Sequence, residues 1–263
     1  MKRIISLFVC FLSSLVFCHA QKLDAVPVVS IAFQADDFVG LDGFGNYFFI
    51  KNNILYKNGN GKSLQYQNLS LGNIKKVDVI NPLKVVVFYE EFNTVVLLDN
   101  QMNEIQEIAF SNNETPIIAS AVGMSGQNQL WLYNSVNQQI GLYDLTNNQY
   151  KNLGVPIKEN LLFYQTDFNS FQWIDQQHHW YSCSIFGRVE NNGLLNNEGQ
   201  IQLLEKNKLI YAQGNTLFFL DRTSNASYKI DIVEKSFQKF YYKDQILSIF
   251  TNQGLTNYKI TIP

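Results

Sequence analysis

Short apolar runs, each ending in Asp and followed by a polar turn, recur along this chain at a near-constant interval. That recurrence constrains the fold more than any other feature. Leu97-Leu98-Asp99, Leu142-Tyr143-Asp144 and Phe219-Leu220-Asp221 are the clearest copies. The first two Asp residues lie 45 positions apart, and the second and third 77, about two units of 38. Degenerate copies keep the spacing at Ile54-Leu55-Tyr56-Lys57, Ser184-Ile185-Phe186-Gly187 and Thr256-Asn257-Tyr258-Lys259. A second apolar run precedes most of them: Tyr47-Phe48-Phe49-Ile50, Val87-Phe88-Tyr89, Leu130-Trp131-Leu132-Tyr133, Leu209-Ile210-Tyr211 and Ile246-Leu247-Ser248-Ile249-Phe250.

The runs are short, alternating or continuously apolar, and bounded by Gly, Asn, Asp or Pro, which is the signature of strands. Val85 to Tyr89 and Thr94 to Leu98 flank the polar Glu90-Glu91-Phe92-Asn93 and read as a hairpin. Glu104 to Phe110 alternates with one slip, which marks a bulge. No window after the N-terminal segment carries a capped 3.6-residue period. Aromatic residues make up 14% of the chain, and such residues suit a pleated, half-buried surface. Asn contributes 30 of the 263 residues, as expected of a fold with many tight turns. A period near 40 with about four strands per unit is the arithmetic of a β-propeller blade. The expected fold is therefore an all-β, six-bladed propeller. Its units run about Asp37 to Ser70, Ile74 to Ser111, Pro116 to Val155, Leu161 to Leu194, Gly199 to Ile232, and from Phe237 to the end. The last unit has only three strands, and Val26 to Phe33 is expected to supply its fourth and close the ring. Five or seven units, an open sandwich, or two small β domains are the alternatives.

Asp42-Gly43-Phe44-Gly45-Asn46-Tyr47 resembles the Asp-x-x-Gly-Asn-aromatic turn of many bacterial β-propeller repeats. Leu130 to Tyr133 with Ile140 to Asp144 looks like the two middle strands of such a blade. The resemblance spans most of the chain as a pattern, the full turn occurs once, and no Gly-His or Trp-Asp signature accompanies it. It implies architecture and carries over no activity, because propellers host many functions.

Met1, Lys2 and Arg3 open the chain, Ile4 to Phe17 is almost wholly apolar, and Cys18-His19-Ala20 precedes Gln21. This is the three-part pattern of a secretory signal peptide cleaved after Ala20. The apolar run is too short to span about 30 Å of hydrocarbon, so no transmembrane span is expected. Residues 1–20 are thus read as a signal peptide and residues 21–263 as a single propeller domain. The product is exported and periplasmic or outer-membrane-associated; a lipoprotein acylated at Cys18 is the alternative, disfavoured by Phe17 where a small residue is needed. Cleavage leaves Cys183 as the only thiol, expected to be a small packed hydrophobe.

A formal net charge of -2 offers no basic footprint for nucleic acid. His178 and His179 are adjacent, so on a strand they would face opposite ways and not share a metal. Gly123-Met124-Ser125-Gly126 lacks the spacing of a nucleophile elbow. Asp36-Asp37, Asp78, Asp167 and Asp175 fall near inner strands, where a ring of carboxylates would hold a cation. No catalytic residue, metal ligand or cofactor is assigned. The reading favoured is a non-catalytic scaffold in the bacterial cell envelope that binds an envelope or outer-membrane protein. Phe44, Phe92 and Trp173 are its candidate exposed anchors, since aromatic residues dominate interface hot spots. The alternative is an exported lactonase- or glycosidase-like hydrolase that works through channel carboxylates.

Overall fold

A computed structural model describes residues 21–113, 117–126, 128–158, 160–195, 199–205 and 207–263. The segment read as a signal peptide, with Cys18, lies outside the described residues. Two N-terminal strands, β1 (Gln21–Asp24) and β2 (Val26–Ala32), precede the repeats. Blade one is β3 (Asp37–Leu41), β4 (Tyr47–Lys51), β5 (Ile54–Gly59) and β6 (Lys62–Tyr66). Blade two is β7 (Lys76–Asp78), β8 (Val85–Tyr89), β9 (Thr94–Leu98) and β10 (Glu104–Ala109). Blade three is β11 (Ala119–Met124), β12 (Gln129–Asn134), β13 (Gln139–Asp144) and β14 (Gln149–Leu153). Blade four is β15 (Leu161–Thr166), β16 (Ser170–Asp175), β17 (His179–Ser184) and β18 (Val189–Leu194). Blade five holds β19 (Ile201–Leu203), β20 (Lys208–Gln213), β21 (Thr216–Asp221) and β22 (Ala226–Asp231). Blade six holds β23 (Lys239–Lys243), β24 (Ile246–Thr251) and β25 (Gly254–Lys259).

The six sheets form a six-bladed propeller of antiparallel strands, as the repeat arithmetic requires. β2 pairs antiparallel with β25, Val26 opposite Lys259 and Ala32 opposite Gly254, and so completes blade six as expected. Phe33 then packs into the seam between the last blade and the first. Its ring centroid lies 4.7 Å from that of Phe49 and 5.7 Å from that of Phe250. β1 was not anticipated: it adds in parallel to β22, making blade five a five-stranded sheet. The only helical segments among the described residues are two 3-10 turns, Leu69–Leu71 and Phe110–Asn112. No helix among them is long and apolar enough to cross a membrane.

Middle strands are continuously apolar because a neighbouring blade covers each face. Every residue of β8 and β9 is buried. The outer strands keep one solvated face, so β10 alternates, with a register shift between Glu104 and Gln106 where the sequence slips. The recurrent Asp at the end of the third strand in blades two, three and five is a turn device. Asp99 Oδ1 accepts from the backbone N–H of Gln101 and Asn103, Asp144 Oδ1 from Thr146 and Asn147, and Asp221 Oδ1 from Thr223 and Ser224. The Asn content has a backbone cause as well. Among the described residues, eight of the thirteen non-glycine positions with positive φ are Asn, the residue that best tolerates that region.

Candidate functional site

The first strand of each blade, β3, β7, β11, β15, β19 and β23, lines the central axis, and all six run the same way along it. The disc therefore has two unlike faces. On the entry face the inner strands begin and the turns between second and third strands lie. On the exit face the inner strands end, and the first-to-second and third-to-fourth turns lie. The inner strands leave a channel of about 600 Å³.

Alternation decides what that channel contains. In β7, Val77 points into the core while Lys76 and Asp78, two positions apart, share the channel side. The carboxylate of Asp78 is fully engaged. Oδ1 accepts from Ile80 N at 2.9 Å, and Oδ2 from Met124 N at 2.9 Å and Thr166 Oγ1 at 3.3 Å. Burial nevertheless pushes its pKa up, the three donors only partly offsetting the desolvation. Lys76 lines the channel and its side chain is exposed there. Its Nζ stands 5.1 Å from the centre of the Tyr164 ring, and desolvation lowers its pKa, with Asp78 opposing. Tyr241 enters from blade six, its ring passing over Gly40, where a Cβ would sit 3.0 Å from the ring. Burial raises the pKa of both Tyr164 and Tyr241, so both phenols stay protonated. At the entry mouth Lys239 Nζ donates to Asp37 at 2.7 and 2.9 Å.

Three inner-strand side chains are spent on holding the ring together. Gln165 donates from Nε2 to Leu203 O at 2.6 Å and accepts at Oε1 from Leu203 N at 3.0 Å. Gln202 repeats the device one blade on, with Tyr242 O at 2.7 Å and Tyr242 N at 2.6 Å. Tyr164 uses its hydroxyl on the N–H and C=O of Val122. These contacts staple adjacent inner strands, which cannot join each other through a continuous ladder.

The acidic residues near the inner strands do not form a ring of carboxylates. Asp36 accepts from Asn52 N at 2.6 Å. Asp167 caps its own turn through Asn169 N, Ser170 N and Ser170 Oγ. Asp175 is buried and accepts from His179 N. Among the described residues no group of three His, Cys, Asp or Glu converges. His178 and His179 sit at a blade-four turn, His179 Nδ1 lying 3.5 Å from Asp175. Ser125 donates its hydroxyl to Phe168 O. Cys183 is free and buried, as expected.

The anchor residues divide. Phe92 is 51% exposed and lies on the entry face, in the turn between β8 and β9; Phe44 is 60% exposed and lies on the exit face, between β3 and β4. One flat partner cannot cover both. Trp173 corrects the expectation that it is exposed: it is 2% exposed, centred in β16 and packed on Phe171 and Tyr181. The sequence Ser170-Phe171-Gln172-Trp173-Ile174-Asp175 is a second strand covered by blades on both sides, not an edge. What sequence reading missed are two further exposed apolar residues on the face of Phe92. Ile118 and Val136, each 55% exposed, belong to the next blade on the same face. Asn93 binds Ile117 O and Ala119 N, while Ile118 N donates to Asn134 Oδ1 and Ile118 O accepts from Ser135 N. The backbone frame thereby holds Ile118 and Val136 on the same face as Phe92, whose ring itself leans the other way, toward Gly72.

No protein-family model and no curated protein sequence matches the chain. Among solved structures it is similar to a catalytically inactive histidine-to-alanine variant of virginiamycin B lyase from Staphylococcus aureus with quinupristin. That match has 9% identity and a TM-score of 0.60, and covers 92% of this chain and 100% of the other. It is also similar to a protein of unknown function from Bacteroides thetaiotaomicron (15% identity, TM-score 0.56, covering 92% and 73%). A third match is the extracellular domain of a protein assigned to a hybrid two-component system of the same organism (14% identity, TM-score 0.52, covering 86% and 40%). The chain thus shares its fold with bacterial β-propeller proteins that include both an enzyme and an extracellular domain.

Proposed function

We propose that this chain is a non-catalytic, exported β-propeller that serves as a protein-interaction scaffold in the bacterial cell envelope, with Met1 to Ala20 acting as its secretory signal. The observation that carries the reading is that Phe92, Ile118 and Val136 are all exposed apolar side chains on the entry face. Single exposed apolar side chains are ordinary, but several on one face, carried by turns that hydrogen bonds fix, offer a preorganised contact surface. Export rests on the N-terminal pattern, and cleavage after Ala20 would make Gln21, the first residue of β1, the new N-terminus. The state of the channel supports this reading over the hydrolase. Asp37 is neutralised by Lys239 and Asp78 is committed to three donors, so neither is free to act as a general base. The described histidines lie away from the channel.

The test is a pull-down of the tagged protein from its native envelope, with mass spectrometry of the co-purifying proteins and of the bait N-terminus. A partner in near-equal amount that is lost in Phe92→Ser and Ile118→Ser but kept in Phe44→Ser supports the scaffold and the face. A bait that emerges alone, or a partner held equally by all variants, overturns the assignment.

A further inference from the structure

We propose that the central channel is a binding site for a small organic monocarboxylate, with the ammonium of Lys76 and the hydroxyl of Tyr241 as its polar contacts. This site is separate from the entry-face apolar residues and does not depend on the scaffold reading.

Charge accounting leaves two lysines of the channel lining without a salt bridge among the described residues: Lys76, on the Tyr164 ring, and Lys243, which ends β23 at the exit mouth. Asp37 and Lys239 neutralise each other, and Asp78 is saturated by two backbone N–H groups and Thr166. Lys75 pairs with Glu90 at 2.7 Å. Lys76 has no hydrogen bond or salt bridge among the described residues; its one close contact is the face of Tyr164. Its ammonium is open to the channel with donors that no described residue takes up, so an anionic acceptor entering the channel can pair with it. The Tyr241 hydroxyl likewise has no hydrogen-bond partner among the described residues, whereas Tyr164, Gln165 and Gln202 have spent theirs on backbone. Lys76 and Tyr241 therefore both bring unspent donors to the cavity.

The remaining walls set the class of ligand. Val39, Ile80, Phe163 and Ile201 supply apolar surface. A volume of about 600 Å³ falls in the range of small-molecule sites, which pair a mostly apolar lining with a few placed polar groups. The charge must be single. The Asp78 carboxylate borders the same space and disfavours a phosphate dianion, and the Lys76 ammonium matches one carboxylate. A cation is disfavoured by Lys76 itself.

Titration calorimetry of the mature chain with benzoate and hexanoate tests this, with benzamide as the uncharged isostere and inorganic phosphate as the dianion. We expect saturable binding of a monocarboxylate at one site per chain, at least tenfold weaker binding of benzamide, and none of phosphate. Lys76→Met should weaken carboxylate binding at least tenfold, and Tyr241→Phe several-fold. Lys22→Met, on the outer edge of blade five, should leave it unchanged. Lys76→Gln keeps a polar group at the position and is the second variant if the methionine variant fails to fold. No carboxylate binding, equal binding of benzamide, or carboxylate binding that survives the loss of the Lys76 charge in a folded variant each overturns the proposal. The scaffold reading stands or falls on the pull-down instead.

Discussion

Lys57 Nζ lies 3.7 Å from the carboxylate of Asp42, and their side chains are 7% and 0% exposed. The same ammonium donates to Asn100 O at 2.9 Å. Lys57 thus ties the first turn of blade one to the third turn of blade two. The two turns are built alike: Asp42 Oδ1 accepts from Asn46 N and Oδ2 from Asn46 Nδ2, and Asp99 repeats both contacts with Asn103. One buried cation therefore locks two copies of the same Asp-to-Asn turn across a blade junction. Removing one partner of a buried pair leaves the other charge uncompensated, at a cost of about 3–5 kcal/mol. Lys57→Met should lower stability by roughly that much in urea denaturation, and added salt should barely change the difference, because the pair is shielded from solvent ions. A loss below ~1 kcal/mol would mean that the pair is not holding the junction.

The second copy of that turn has Met102 where the first has Gly45, at φ +67° against +78°. Left-handed backbone costs a non-glycine residue about 1–2 kcal/mol, so Met102→Gly relieves strain. But Met102 is 5% exposed and packs in the core between blades one and two. Deleting a buried Met side chain costs about 2–5 kcal/mol. The packing term is the larger, and Met102→Gly should destabilise. A glycine variant as stable as the parent would show that the backbone term wins here.

The glutamine staples predict coupling. Gln165→Leu strands the N–H and C=O of Leu203, and Gln202→Leu those of Tyr242. Each unpaired group costs about 1–3 kcal/mol where water does not replace the amide. Both staples meet in β19, one at its backbone and one through its side chain. A double-mutant cycle should therefore be non-additive by at least ~0.5 kcal/mol. Additive losses would show that β19 is held independently by each neighbour.

Cys183 is fully buried, and burial pushes its thiol up to about 11. Thiolate is the reactive form. With the folded pKa raised, the group stays a neutral thiol in the native protein until pH approaches that value. At pH 8 a thiol reagent should label the mature native chain far more slowly than the urea-unfolded chain. Fast native labelling would place the thiol at the surface.

The blade plan was legible because it rests on local pattern: apolar run, Asp, polar turn, repeated. The closing strand Val26 to Ala32 was legible for the same reason, since blade six lacks a fourth apolar run and one is spare at the N-terminus. β1 was not, because Gln21-Lys22-Leu23-Asp24 has no strand-like run and owes its pairing to the exposed edge of β22. Trp173 was misread because composition says that a residue is aromatic, not which strand of a blade carries it. Lys76-Val77-Asp78 carried a usable signal, strict alternation with charged residues on one side. Only the ring, however, reveals that this side faces a channel.

The N-terminal strands make the last prediction, because both add to outer edges but do different work. β1 contributes Leu23, partly buried against the core of blades five and six, and an exposed Lys22–Asp231 contact at 2.8 Å, and exposed pairs of that kind add little. β2 supplies the fourth strand of blade six and covers the edge of β25, which would otherwise be open to another chain. Its own side chains are largely exposed, so its contribution is the backbone ladder and not burial. Deleting residues 21–25 should therefore lower the unfolding midpoint slightly and leave a monodisperse protein. Deleting residues 21–32 should cost several times more and produce concentration-dependent association, as β25 recruits a strand from another molecule. Size-exclusion chromatography with urea unfolding separates the two. Equal and small effects from both deletions would show that the ring is closed by the Phe33 aromatic seam alone.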